Sequence, residues 1–207
     1  RSEIVDSDGS KREGSVTIIG AVSPPGGDFS EPVVTHTKRF VRTFWGLDRD
    51  LASARHFPSI HWNTSYSEYD VSAWYAEHVD LPWAELRERA KALLKEDEQL
   101  QNIVKLIGAD ALPDKQRITI ESARLVKEAF LQQAAFSEVD SYCPLEKQLA
   151  MIDIILTFHS LALQASADGQ PVHKIVSSPL VEEIHRMKEA IPAAEMERFV
   201  DLKRRIE

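Results

Sequence analysis

Gly14-Ser15-Val16-Thr17-Ile18-Ile19-Gly20-Ala21-Val22-Ser23-Pro24-Pro25-Gly26-Gly27-Asp28 joins a β-branched run to a stiff turn rich in proline and glycine. The run Ser15–Val22 lacks the apolar–polar alternation of a one-sided strand. It predicts a strand covered on both faces, as in a parallel sheet. Pro24 and Pro25 remove backbone donors and Gly26 and Gly27 permit positive φ, so 23–28 reads as a protruding loop at the strand's C-terminal end. In open α/β sheets, ligands and partners bind at that end. Further along, Phe40, Val41, Phe44, Trp45, Leu47 and Leu51 fit one broad face and predict a helix over 34–54. Residues 57–62 then return as an extended segment. Such a β–loop–α–β piece cannot close a sheet by itself.

Beyond it the pattern changes. Residues 80–207 are rich in Leu, Ala, Glu, Lys and Gln. Asp80 is a candidate N-cap with Pro82 in the first turn. Leu86, Leu93, Leu94, Leu100, Ile103, Val104 and Ile107 form a long stripe that Gly108 can close. Asp110–Lys115 is a polar turn, and a second helix is predicted over about 120–133. Pro144 opens a third and Ser178-Pro179 a fourth, while Pro192 sets off a short charged terminal helix. The chain therefore reads as mainly α, with 1–79 ending an α/β domain and 80–207 forming a helical bundle.

Composition narrows the function. Among 207 residues, 25 are Lys or Arg and 33 Asp or Glu, a net charge of −8. That balance argues against a nucleic-acid partner, which needs a basic face. One cysteine rules out an internal disulfide framework and a Cys-based zinc site. No run reaches the ~18 consecutive apolar residues of a membrane span, since Asp153 and His159 interrupt Leu149–Leu163, so direct membrane insertion is not expected. The opening residues have no apolar core of a signal peptide and read as a polar loop. A start without Met is read as the start of a fragment.

Gly9–Val16 carries glycines at phosphate-loop spacing, but Ser15 and Val16 follow Gly14 where Lys and Ser or Thr are required, so it is an ordinary loop. The seven histidines show no i, i+4 metal spacing, and His159 reads as a satisfied histidine at the core's edge. Glu182-Glu183 and Glu96–Glu98 read as solvated helix faces. No catalytic or metal-binding residue is identified. Cys143 precedes Pro144 at a helix start, where backbone N–H groups would lower a thiol pKa; the plainer alternative is a small buried residue at a cap. Phe57, Phe136 and Tyr142 stand outside regular elements, where a ring can stack on a purine or simply pack.

The opening string, continued through Pro32, closely resembles the catalytic A subunit of V-type and A-type rotary ATPases. Phe44-Trp45-Gly46-Leu47-Asp48, Arg55-His56-Phe57-Pro58-Ser59-Ile60-His61-Trp62 and Tyr142-Cys143-Pro144-Leu145-Glu146-Lys147-Gln148 continue the resemblance in order, over about 14–165. It implies the end of a RecA-like nucleotide-binding domain followed by a C-terminal helical domain. The phosphate-loop lysine, the water-positioning glutamate and the Mg²⁺ ligands of the family have no counterpart here. By resemblance, Phe57 and Tyr142 flank the adenine of ATP or ADP, with Phe136 and Cys143 close by, and in some relatives a cysteine here pairs with one in the phosphate loop. The Asp110–Gln116 loop is similar to the acidic lever of the related F-type beta subunit, which presses on the rotor. That implies contacts with neighbouring subunits or the central stalk at Pro24, Pro25, Gly26, Gly27 and Asp28 and at Asp110, Leu112 and Asp114. The implied partners are B-type non-catalytic subunits alternating in a hexameric ring, and rotor subunits. The implied location is a cytoplasmic head peripheral to a membrane, with ATP/ADP and Mg²⁺ bound by the whole subunit but not by this piece alone. The competing readings are a standalone helical interaction module, which would bury Phe57 and Tyr142 far apart, and a ring ATPase acting on nucleic acid or in secretion, which would need a basic channel.

Overall fold

Ser2–Val5 (β1) and Lys11–Gly14 (β2) form an antiparallel hairpin in register Ser2↔Gly14 to Val5↔Lys11. The computed structural model describes residues 2–207, apart from the side chains of Ser2 and Asp110. The polar opening read as a loop is thus paired. Gly9, at φ 84°, and the Asp8 carboxylate accepting from Ser10 N at 2.9 Å build its turn. The chain divides into two units, Arg1–Val41 and Arg42–Glu207.

In the first unit the predicted strand at 15–22 does not form. Val16, Ile18 and Ile19 are 90%, 89% and 85% exposed, and among the described residues no strand pairs with them. A strand persists only where a neighbour takes its N–H and C=O groups. The following turn is as expected: Pro25–Gly27 makes one 3-10 turn, with Gly26 and Gly27 at φ 66° and 77°. Pro32–Phe40 (α1) follows, its N-terminus capped by the Glu31 carboxylate accepting from Val34 N.

The helix predicted over 34–54 is broken. Val41 is already extended, and Thr43–Phe44 (β3) is a short strand. Arg49–Ser53 (α2) starts afresh from Asp48, whose carboxylate accepts from Leu51 N at 2.8 Å. Tyr66–Ser67 (β4) pairs antiparallel with β3. Gly46 explains the interruption: a Cβ there would lie 2.6 Å from Thr64 Oγ1, so only glycine allows the two segments to approach. Phe40, Trp45 and Leu47 are accordingly exposed rather than sharing a buried face.

Ser72–His78 (α3) is a short helix that periodicity did not signal; its Tyr75 stacks on Trp83 with centroids 4.2 Å apart. Trp83–Ile107 (α4) begins after Pro82 rather than at Asp80, and Gly108, at φ 83°, ends it. Asp114–Leu125 (α5) starts before the predicted 120, because Pro113 and the acidic Asp114 suit a helix N-terminus. It runs on into a π-helical turn, Val126–Leu131. Leu145–Ala167 (α6), Val172–Val176 (α7), Pro179–Ala190 (α8) and Met196–Ile206 (α9) complete the chain, with Ser178 Oγ capping α8.

The core lies around α6, which packs against α4, α5 and α9. Ile118, Ile155, Ile184 and Met187 are fully buried, each worth roughly 1.5–3 kcal/mol of transfer energy. By length and composition α6 is apolar enough to span a bilayer, with a mean hydropathy of 1.5 over 18 residues. Its interrupting polar residues serve the bundle. Asp153 pairs with Lys203 of α9 at 2.7 Å, and His159 Nδ1 shares a hydrogen bond with Ser122 Oγ of α5 at 3.0 Å.

Burial, and then the Arg89 and Lys115 cations, hold the His159 imidazole below its ordinary value of 6.5. The unfolded chain therefore binds the proton more readily. Stability is full above the unfolded value and is lost as pH falls towards the folded one. Melting followed by circular dichroism should show Tm falling as pH drops below about 6.5, the ordinary histidine value, and His159→Gln should flatten that slope.

Candidate functional site

Arg55 adopts a left-handed conformation, φ 58°, and turns the chain so that His56 N bonds Leu51 O while Phe57 points outward, before a cis Phe57–Pro58 peptide. The turn docks on the end of the π-helical segment. Gln133 N donates to Phe57 O at 2.6 Å, Gln132 Nε2 donates to Arg55 O at 3.3 Å, and His56 Nε2 bonds Lys127 O at 3.0 Å. A carbonyl can only accept, so Nε2 carries the proton, and His56 Nδ1 is buried with no partner among the described residues. Beneath the turn, the Lys127 ammonium pairs with the buried Asp97 of α4 and lies 5.5 Å from the Trp62 ring centre. Gln101 Nε2 completes Asp97 at 3.0 Å.

The loop 133–143 carries the other candidate rings. Asp140 is buried and closes the loop on itself, its Oδ2 accepting from Ala134 N at 2.6 Å. Lys188, reaching in from α8, donates to Gln132 O and lies 3.4 Å from the same carboxylate oxygen. Lys147, almost wholly buried, donates to Lys188 O at 2.7 Å; burial pulls its ammonium below the ordinary lysine value. Asp140 Oδ1 has no partner among the described residues.

On this base Phe136 is fully exposed, Tyr142 is 78% exposed and Phe57 51%. The Phe57–Gln133 bond brings the Phe57 turn and the start of the Phe136–Tyr142 loop together. Cys143 is half-buried at the loop's end. Its thiol is pushed up, not down as the helix start suggested: burial outweighs the opposing pull of the Lys147 cation. The thiol is thus the less reactive kind.

The candidate contact residues fall in two places. Pro24–Asp28 lies in the first unit; Pro25–Asp28 is exposed, and the Asp28 carboxylate takes Ser30 Oγ and N, which lowers its pKa. Asp110 and Leu112 lie between α4 and α5, and Asp114 is the first residue of α5. Asp114 is exposed, Leu112 is only 6% exposed, and the side chain of Asp110 is outside the described residues. Among the described residues no cluster of His, Cys, Asp or Glu is arranged to hold a metal ion. The described residues do not fit Mg²⁺. Sequence reasoning missed His56, Asp97, Lys127, Asp140, Lys147 and Lys188. Asp97 and Lys188 left a signal, each being a charge set within an apolar helical stripe.

The same segments recur in known proteins. Residues 72–176 match the C-terminal domain of V and A type ATP synthase, and residues 2–67 the nucleotide-binding domain of the ATP synthase alpha/beta family. The V-type ATP synthase alpha chain of Halothermothrix orenii is 50% identical over 209 residues, covering 100% of this chain and 35% of that protein. The A subunit of the A-type ATP synthase of Pyrococcus horikoshii is 51% identical over 179 residues, covering 86% of this chain and 19% of that protein. The chain thus spans about a third or less of these relatives. A solved structure of an ATP synthase subunit, NeqB from Nanoarcheaum equitans, is similar in fold, with a TM-score of 0.54 and 22% identity over 72% of this chain and 33% of that one. These relatives favour a piece of an ATP synthase A subunit over a standalone helical module: the chain belongs to the V and A type ATP synthase A-subunit family and corresponds to its C-terminal part.

Proposed function

We propose that this chain forms one wall of the adenine site and the helical drive arm of the catalytic subunit of a rotary ATPase. Residues 1–79 are the end of the nucleotide-binding domain and 80–207 the arm. Phe57, Phe136 and Tyr142 contact the base, and Cys143 lines the site as a small half-buried residue. The observation that carries the reading is the hydrogen bond of Phe57 O to Gln133 N, beneath rings exposed to solvent. Rings that exposed add little to packing, and a flat apolar face gains by stacking on a purine. Phosphoryl transfer needs phosphate clamping, Mg²⁺ and an arginine finger, which this reading assigns to the rest of the subunit together with its neighbours. The arm would swing as a rigid body and press the rotor through the Asp110–Asp114 turn, while Pro24–Asp28 meets an adjoining subunit. Non-catalytic B-type subunits and central-stalk subunits are the partners, in a head on the cytoplasmic side of a membrane.

The test uses the full-length subunit. Phe57→Ala and Tyr142→Ala should each weaken ATP binding by about fivefold or more, because a stacked ring contributes about 1–3 kcal/mol. Equilibrium titration with a fluorescent ATP analogue reads this directly. An unchanged Kd in both variants would remove the adenine wall from these residues, and ATP turnover by the 207-residue chain alone would refute the assignment.

A further inference from the structure

One residue touches both halves of the proposed machine. The carbonyl of Lys127 accepts from Gln132 N at 2.9 Å within the π-helical turn and also takes His56 Nε2, next to Phe57. Its ammonium pairs with the buried Asp97 on α4. In a regular α-helix this carbonyl would bond four residues on; the π-turn lets it bond five on while still receiving the imidazole. Asp97 stands midway along α4, whose far end is the Gly108 turn. Both joints are sheltered: His56 and Asp97 are buried, and Trp62 covers the lysine head. A surface ion pair would give way under load, but one shielded from water and held by a further hydrogen bond is directional and stiff.

We propose that Lys127, with His56 and Asp97, is a mechanical joint that passes displacement of the Phe57 turn to α4. These are positioning residues, acting through Phe57 and through α4. The inference rests on the adenine-wall reading above. In it, closure of the Phe57 turn on a base pulls His56, His56 pulls the Lys127 carbonyl, and Lys127 carries α4 by Asp97. The two joints act in series, so loss of either interrupts the transmission and loss of both does no more.

The experiment uses the assembled rotary complex containing the full-length subunit, with ATP hydrolysis and ions carried per ATP measured side by side. Asp97→Leu with Lys127→Met removes one joint without leaving a buried unpaired charge, so hydrolysis should stay within about twofold of the parent. Ions carried per ATP should fall about fivefold. His56→Ala should reproduce that fall, His56→Gln should restore it by returning an N–H donor at the Nε2 position, and the triple variant should be no worse than the double. Parallel loss of hydrolysis and transport, additive losses, or an unchanged ratio would each overturn the joint. So would failure of both disruptive variants to assemble while His56→Gln assembles, since the contacts would then be purely structural. A parent complex that hydrolyses ATP but is indifferent to Phe57→Ala and Tyr142→Ala would instead sink the adenine-wall reading.

Discussion

Ile155→Ala is expected to lower the unfolding free energy of the helical bundle by about 2–5 kcal/mol. Ile155 is fully buried on α6, the helix against which α4, α5 and α9 all pack. The transfer energy of the deleted carbons is one part of the loss. The other is the void left behind, because walls belonging to several helices cannot all move inward together. Leu106, on the opposite side of α4 from the buried stripe, is mostly exposed, and Leu106→Ala should change stability by less than about 0.5 kcal/mol. Urea denaturation followed at 222 nm compares the two. Equal shifts in midpoint would show that α6 is not the centre of the fold.

Lys188→Met should cost about 3–5 kcal/mol, because it strands the buried Asp140 carboxylate. Among the described residues Asp140 Oδ1 already lacks a partner, and without the ammonium Oδ2 keeps only Ala134 N. The Gln132 carbonyl at the end of the π-turn loses its donor as well. Adding Asp140→Asn should recover much of the loss: the amide oxygen still takes the Ala134 N–H, and no charge is left in the interior. The same denaturation experiment decides, with a single variant no weaker than the parent as the contrary result. In the full-length subunit, loosening this loop should also weaken nucleotide binding, since Phe136 and Tyr142 ride on it.

Much of the bundle is legible in the sequence because each signal there is local. The stripe from Leu86 to Ile107, the glycine at 108 and Ser178 ahead of Pro179 depend only on helical spacing and cap chemistry. Most of the failures are non-local. Ser15–Val22 has strand composition, yet a strand is made by its neighbours. The break near Gly46 comes from Thr64, eighteen positions away, where periodicity cannot register it. The π-turn ends its helix with a wider repeat that the 3.6-residue pattern does not signal. Cys143 has the local setting of an activated thiol, but burial dominates. The candidate rings were found by standing outside regular elements; their supports, Lys127, Asp140 and Lys188, belong to contacts across 30 to 71 positions.

Unpaired at 15–22, the chain carries several consecutive residues of high β-propensity with no proline and no charge among them. Two such segments from different molecules satisfy one another's backbone groups as readily as a proper neighbour would, and each addition exposes a fresh template. Prepared by itself, this polypeptide therefore carries its own route to fibrous misassembly, in the very segment whose composition most resembles a buried strand.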